Sequence, residues 1–268
     1  MRHDESVSDR RQRLVNPQLW HRWEQLQQLV TPLPGRSPCL NRRPLNVPAR
    51  FDGFRLLDFL ITWHPQVGRE TWEARISDGR IVPASSGSPQ APNPVPAEVL
   101  NPGTIVRGGQ CFHHLQPDTI EPDVSTDLVF LHEDTDVLVI DKPAPLPMHA
   151  SGRFNRNTLQ HFLSLQFGVS GIRFIHRLDA NTSGVLMAAK TRPAARMLQP
   201  QFEQRTVEKT YLARVSGHPR DNAFRCELPV SRQAASGGIR TICELGAPAV
   251  TEFCVRQRFD DGTSLIQV

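Results

Sequence analysis

The nine residues His176-Arg177-Leu178-Asp179-Ala180-Asn181-Thr182-Ser183-Gly184 constrain this chain more than any other stretch. A short apolar run, Ile172-Arg173-Phe174-Ile175, precedes them. Val185-Leu186-Met187-Ala188-Ala189 follows, closed by Lys190-Thr191. Two short apolar runs about a polar, glycine-ended segment predict strand, turn, strand. Asp179 then stands on the corner, between a basic pair and small turn residues. Buried without a partner, its carboxylate would cost on the order of several kcal/mol. Beside a cation it stays ionised and can serve as a nucleophile or base. A polar β-turn with a salt-bridged carboxylate is the structural alternative.

Further motifs flank this segment. Upstream, Glu133-Asp134 precedes the apolar run Val137-Leu138-Val139-Ile140, which ends in Asp141-Lys142-Pro143. Such a run predicts a strand covered on both faces. Pro143, Pro145 and Pro147 then stop it in an extended loop, Pro145-Leu146-Pro147-Met148-His149. Asn157-Thr158-Leu159 marks a helix start, with Asn157 as the expected cap and Leu159, Phe162, Leu163 and Leu165 as its buried stripe. Pro193 to Arg205 predicts a second helix, kinked or ended at Pro200. Lys209-Thr210-Tyr211-Leu212-Ala213-Arg214-Val215-Ser216-Gly217 then predicts a strand that carries the chain's single tyrosine.

Together these segments resemble the RluA-type pseudouridine synthases. The resemblance rests on H-R-L-D-x-x-T-S-G with its following strand and A-K, on E-D-x-x-x-x-V-x-[ND]-K-P, and on K-x-Y-x-A-x-V-x-G. Where the family has G-L-P-V-H, Pro145 replaces the glycine. The resemblance implies an α+β fold: a mixed, largely antiparallel central sheet flanked by helices, with a small N-terminal module. It implies an RNA pseudouridine synthase acting on ribosomal or transfer RNA, with Asp179 as the catalytic carboxylate and Tyr211 packed on the target base. Asp179 would attack the base or the sugar, or take a sugar proton. Arg177 would fill the space vacated by a flipped base or hold a phosphate. His176 would do the same or be a satisfied structural histidine, while Thr182, Ser183 and Gly184 shape the turn. Uridine isomerisation oxidises nothing, so no redox cofactor is expected, and the resemblance implies no metal. A hydrolase pairing Asp179 with His176 is a remoter reading, weakened by the lack of metal ligands or a serine elbow.

Charge distribution agrees with a polyanionic partner. Residues 151 to 214 hold ten Lys or Arg against Asp179, Glu203 and Glu208, whereas residues 51 to 125 hold five Arg against nine acids. The five cysteines form no CxxC pair, which suggests reduced thiols in the cytoplasm. Cys111-Phe112-His113-His114 resembles a metal corner only in outline, with no second ligand pair nearby. No apolar run approaches the roughly 20 residues of a membrane span, and the charged start Met1-Arg2-His3-Asp4-Glu5 lacks a signal core. A monomer is expected.

Four segments are expected along the chain. Residues 1–50 form an arginine- and proline-rich extension with one amphipathic helix built on Leu19, Trp20, Trp23, Leu26, Leu29 and Val30. Residues 51–102 hold a small RNA-binding-like module and a proline-rich linker, 103–123 a connector, and 124–268 the catalytic domain. The stretch from Pro248 to Val268 resembles the paired strands that precede the family's G-R-x-H-Q-[IL]-R motif, and the sequence ends before that motif. The expectation is a fragment or truncated gene product lacking the arginine that pairs with the catalytic Asp. The alternative function is a catalytically inactive RNA-binding protein that keeps the fold.

Overall fold

A computed structural model of the protein describes residues 16–84, 100–169, 171–232 and 239–268. The arginine-rich lead and most of the proline-rich linker lie outside these residues. The chain divides into two compact units, Met1–Pro200 and Gln201–Val268.

In the first unit, the sheet that carries the signature has strand order β4-β5-β7-β6, all antiparallel: β4 Val129–Glu133, β5 Val137–Lys142, β6 Arg173–Phe174 and β7 Gly184–Ala189. Leu138, Ile140 and Lys142 of β5 are fully buried. Helix α1 (Pro17–Val30) and helix α4 (Leu159–Phe167) contribute to the same core. Leu26 and Val30 of α1 meet Phe130 of β4 and Phe162 of α4 in it. The helix assigned to the N-terminal extension is therefore part of the core that supports the signature sheet.

Charged groups fasten this arrangement. Arg22 of α1 donates from Nε and Nη2 to the Glu133 carboxylate at 3.0 and 3.1 Å. Lys190, at the end of β7, donates to Glu133 Oε1 at 2.8 Å and to the Asp134 carbonyl at 2.6 Å. Asp134 Oδ1 accepts from the amides of Asp136 and Val137, closing the β4–β5 turn. The Glu-Asp pair of the upstream motif thus holds the hairpin together.

A second core lies between residues 39 and 119, drawing strands from the expected extension and connector as well as from residues 51–102. Strands β1 (Cys39–Asn46), β2 (Ile81–Pro83) and β3 (Cys111–Thr119) pair in the order β1-β3-β2. Helices α2 (Leu56–Trp63) and α3 (Arg69–Ser77) bury Phe59, Trp72 and Ile76 in the core beside this sheet. Strand alternation separates the candidate metal corner. His114 is 6% exposed and packs edge-on against Trp72 at 5.4 Å, whereas His113 is half-buried. Burial and the nearby Arg75, Arg43, His64 and Arg80 push His114 down to about 4, so it is neutral at physiological pH. Among the described residues no group of three or more His, Cys, Asp or Glu is arranged to hold a metal ion. Among them, too, no helix is long and apolar enough to cross a membrane.

Local expectations needed correction at three places. Helix α5 (Arg192–Glu203) runs through Pro200 for three more residues. Pro200 lies in its last turns, where one missing N–H is tolerated more easily than in mid-helix. Thr158, not Asn157, caps α4: its Oγ1 accepts the His161 amide at 3.2 Å. Leu165 and Leu29 are 41% and 45% exposed, at the edges of their helical stripes.

In the second unit, β8 (Leu212–Ser216), β9 (Ala223–Cys226), β10 (Thr251–Arg258) and β11 (Thr263–Gln267) form an antiparallel sheet ordered β8-β11-β10-β9. The two sheets of four strands and the small sheet of three are all antiparallel. With the flanking helices they make an α+β protein.

Glu133 gives this fold a testable pH signature. Burial opposes its charge, but the hydrogen bonds from Lys190 and Arg22 outweigh that and hold its carboxyl below the ordinary value. Glu133→Gln should cost about 2 kcal/mol at pH 7 by urea unfolding. A carboxyl lowered in the folded state stabilises above its unfolded value, and that gain is lost as pH falls. The gap between wild type and variant should therefore shrink below about pH 4.

Candidate active site

The signature segment is the connection between β6 and β7, and its conformation alternates between inward and outward side chains. Ile175 and Leu178 are buried, and Leu178 enters the core beneath the sheet. Arg177 and Asp179, on either side of Leu178, point to solvent, with side chains 80% and 83% exposed. Asp179 therefore bears no burial penalty, so the cost of an unpaired buried carboxylate does not arise. Arg177 Nη2 stands 3.8 Å from its Oδ1. At that distance and exposure the pair contributes little to stability, which leaves the carboxylate accessible to a ligand.

The loop is held at both ends by groups away from the carboxylate. His176 Nε2 accepts the backbone N–H of Met187 on β7 at 3.0 Å. An accepting Nε2 carries no proton, so the neutral ring has its hydrogen on Nδ1. This places His176 in a structural bond across the mouth of the hairpin. Beyond Asp179, the Thr182 amide donates to the Asp179 carbonyl at 3.1 Å and tightens the turn. Gly184 opens β7 with φ +128°, a conformation that side chains rarely adopt.

Lys142 was not among the residues expected at the site. It lies at the end of β5, opposite Gly184, and is fully buried. Its Nζ donates to the carbonyls of Pro143 and Leu146, both at 2.9 Å, and to Ala180 at 3.4 Å. The Ala180 carbonyl also accepts the Leu146 amide at 2.8 Å. One buried amine thus joins the proline-rich loop to the residue next to Asp179. Burial pushes Lys142 down to about 8, with Asp179 acting in the opposite direction. At neutral pH it is an ammonium, whose three N–H groups match three carbonyls. The available sequence signal was a lysine ending a buried strand, where a charged residue needs partners.

His149 also belongs to this surface. Its ring packs edge-on against Phe174 at 5.2 Å, and burial followed by the charge of Arg177 lowers its pKa. Arg177 thus stands near both His149, on which its charge acts, and Asp179.

Tyr211 belongs to the second unit. Its amide donates to the Val268 carbonyl at 2.8 Å and its carbonyl accepts the Val268 amide at 2.9 Å, extending the β8–β11 ladder by one pair. The side chain is 38% exposed. It lines a cleft of about 790 Å³ together with Lys209, Arg225 and the stacked pair Phe224 and Phe253, whose ring centroids are 4.7 Å apart. Aromatic faces with basic neighbours suit planar, anionic ligands such as nucleotides. The structure thus brings His176, Arg177 and Asp179 together in one unit and sets Tyr211 in the other.

The Lys142 bridge predicts a second pH effect. A lysine lowered in the folded state binds fewer protons there than when unfolded, between about 8 and its ordinary 10.5. Stability relative to Lys142→Met should therefore rise with pH across that window, by up to about 3 kcal/mol. Denaturant unfolding of both proteins at pH 7.5 and 10.5 measures it.

Comparison with known proteins places these features in a family. The family described as RNA pseudouridylate synthase matches residues 136–268. Pseudouridylate synthase RPUSD2 of Mus musculus is 35% identical over 154 residues, covering 58% of this chain and 27% of that protein. Ribosomal large subunit pseudouridine synthase C of Pasteurella multocida (strain Pm70) is 32% identical over 135 residues, covering 50% of this chain and 41% of its own. Dual-specificity RNA pseudouridine synthase RluA of Yersinia pestis is 33% identical over 142 residues, covering 53% of this chain and 68% of its own. The chain spans less than half the length of the first two of these relatives. The match takes in β5, the Asp179 loop and the strand after Tyr211, and the chain belongs to the RNA pseudouridylate synthase family, among the RluA-type proteins.

Proposed function

We propose that this protein isomerises uridine to pseudouridine in structured RNA, ribosomal or transfer, with Asp179 as the catalytic carboxylate. The observation that carries this reading is the Asp179 side chain: 83% exposed, on a loop tied down through Leu178, His176 and Ala180. The backbone around it is fixed while the carboxylate itself is available. Such preorganisation is what a positioned nucleophile or base requires.

The reaction breaks the bond from the ribose C1′ to the uracil N1, turns the base, and joins C1′ to C5. The C5 hydrogen leaves as a proton and N1 takes one up, so the product is an isomer and no electrons are gained or lost overall. Asp179 assists at the sugar–base junction. Arg177, exposed beside it, offers a guanidinium to a phosphate or to the space left by the displaced base. A uridine inside structured RNA must leave its stack first, at about a few kcal/mol. Tyr211, with Phe224 and Phe253 in its cleft, supplies an aromatic face for the exposed base. The five cysteine thiols are unpaired, which supports action in the reducing cytoplasm.

Release of tritium from RNA labelled at uracil C5 tests the reading directly. Wild type should release the label, and Asp179→Asn should lower turnover by on the order of a thousand-fold while RNA affinity stays within a few-fold. Turnover by Asp179→Asn near the wild-type rate would remove Asp179 from its role. RNA binding without any release from transfer or ribosomal RNA would instead identify an inactive RNA-binding relative. Tyr211→Phe should be milder than Tyr211→Ala, because stacking needs the ring more than the hydroxyl. Equal losses in both would count against a stacking role.

A further inference from the structure

Glu121 is a buried carboxylate with no part in the chemistry above. It is 3% exposed. Its Oε2 accepts the backbone amides of Asn155, Arg156 and Asn157 at 2.9, 3.0 and 2.8 Å, and its Oε1 accepts the Arg156 amide at 2.9 Å. Three successive amides converging on one anion form a backbone nest, and the anion fixes the conformation of the residues that supply them.

The nest is closed from a third segment. Asn157 is fully buried; its Oδ1 accepts the Gly35 amide at 2.8 Å and its Nδ2 donates to the Pro122 carbonyl at 2.9 Å. The Glu121 amide donates to the Gly35 carbonyl at 2.9 Å. A Cβ on Gly35 would stand 2.8 Å from both the Asn157 side chain and the Glu121 Cβ, so the contact admits only glycine without displacement. Residues 35, 121 and 157 thus meet in one clamp.

The clamped loop is basic and adjoins the candidate active site. Arg153 is exposed and Arg156 half-buried. Ser151 and Phe154 exchange backbone hydrogen bonds at 3.0 and 2.9 Å, which folds the loop back on itself. The chain just before it packs against the signature: His149 on Phe174, and the Leu146 amide on the Ala180 carbonyl. Arg156 lies close enough to His161, and Arg177 to His149, for their charges to be felt, while Glu121 acts on His161 in the opposite sense.

We propose that Glu121 is a positioning residue: by holding the amides of residues 155 to 157, it presents Arg153 and Arg156 to backbone phosphates of the RNA whose uridine reaches Asp179. This deepens the RNA-modifying reading and rests on it. A buried negative charge then serves the binding of a polyanion. The physical gain is preorganisation, because arginines on a fixed loop lose less freedom on meeting phosphates.

The sign of one substitution separates this from a general charge effect. Loss of a negative charge near an RNA surface should tighten binding if electrostatics alone acted. If Glu121 positions the loop, Glu121→Ala should weaken it instead. The experiment measures binding of a fluorescein-labelled transfer RNA transcript by the full chain between 50 and 200 mM salt, together with tritium release and thermal stability. Arg153→Ala with Arg156→Ala should weaken binding and flatten the slope of log affinity against log salt by about 1 to 2. It should also raise KM more than it lowers kcat. Glu121→Ala should follow in the same direction, and Glu121→Gln, which keeps one acceptor oxygen, should recover part of the loss.

Gly35→Ala disturbs the clamp without changing any charge and should also weaken binding. It provides the loop test should Glu121→Ala not fold. Unchanged affinity and salt slope in the double arginine variant, or equal or tighter binding by folded Glu121→Ala, would overturn the proposal. Absence of Asp179-dependent release from wild type, with arginine-dependent binding intact, would overturn the isomerase reading while leaving the clamp standing.

Discussion

The geometry around Asp179 depends on the buried ammonium of Lys142 more than on any contact of the carboxylate itself. A fully buried lysine is tolerated only when its N–H groups are satisfied, and here they meet carbonyls from two separate loops. The lysine ends the central strand β5, so the position of its head follows from the strand. Any shift of the Asp179 loop would leave the amine short of a partner in a site without water-like freedom. The loop is thereby coupled to the core rather than to the surface.

Glu133 and Glu121 repeat this strategy with the opposite charge. Glu133 receives Arg22 and Lys190 and joins α1, the β4–β5 hairpin and the end of β7. Glu121 receives backbone amides and joins the N-terminal segment to the loop before α4. In each case a partly or fully buried charge is surrounded by several donors, which is the condition under which burial of a carboxylate is not destabilising. Hydrophobic packing supplies most of the stability of the first unit, while these polar nodes select one arrangement of its loops. Asp179, which makes no such commitment, remains available for chemistry.

Much of this was legible from residue order. The apolar run Val137–Ile140 reads as a covered strand because Leu138 and Ile140 face one side and Val137 and Val139 the other, and both sides are at least partly buried. The strand-turn-strand corner is present, although β6 is only two residues long. The buried stripe of α4 was placed correctly at Leu159, Phe162 and Leu163, and failed at Leu165, which lies at the edge of the helix face. His176 was open between substrate contact and structural bond because a histidine beside a strand can do either. The structure adds one bond, from the Met187 amide to Nε2, that neighbouring residues alone do not reveal.

Local sequence determined the chemistry that the chain carries: a carboxylate beside a guanidinium on a tight turn, an alternating strand with one tyrosine, and a motif pattern specific enough to indicate the family. These follow from neighbouring residues, whose spacing along the backbone is set by covalent geometry. Tertiary structure decided which of the charged residues are fasteners and which stay exposed. Lys142 reaches Ala180, 38 residues away, Glu121 meets partners 34 to 36 residues away, and Glu133 meets partners 57 and 111 residues away. Whether Asp179 was buried or open was equally undecidable from its neighbours, because exposure is set by what the rest of the chain packs against. Leu178 turns inward to the core, and Asp179 is turned outward for that reason.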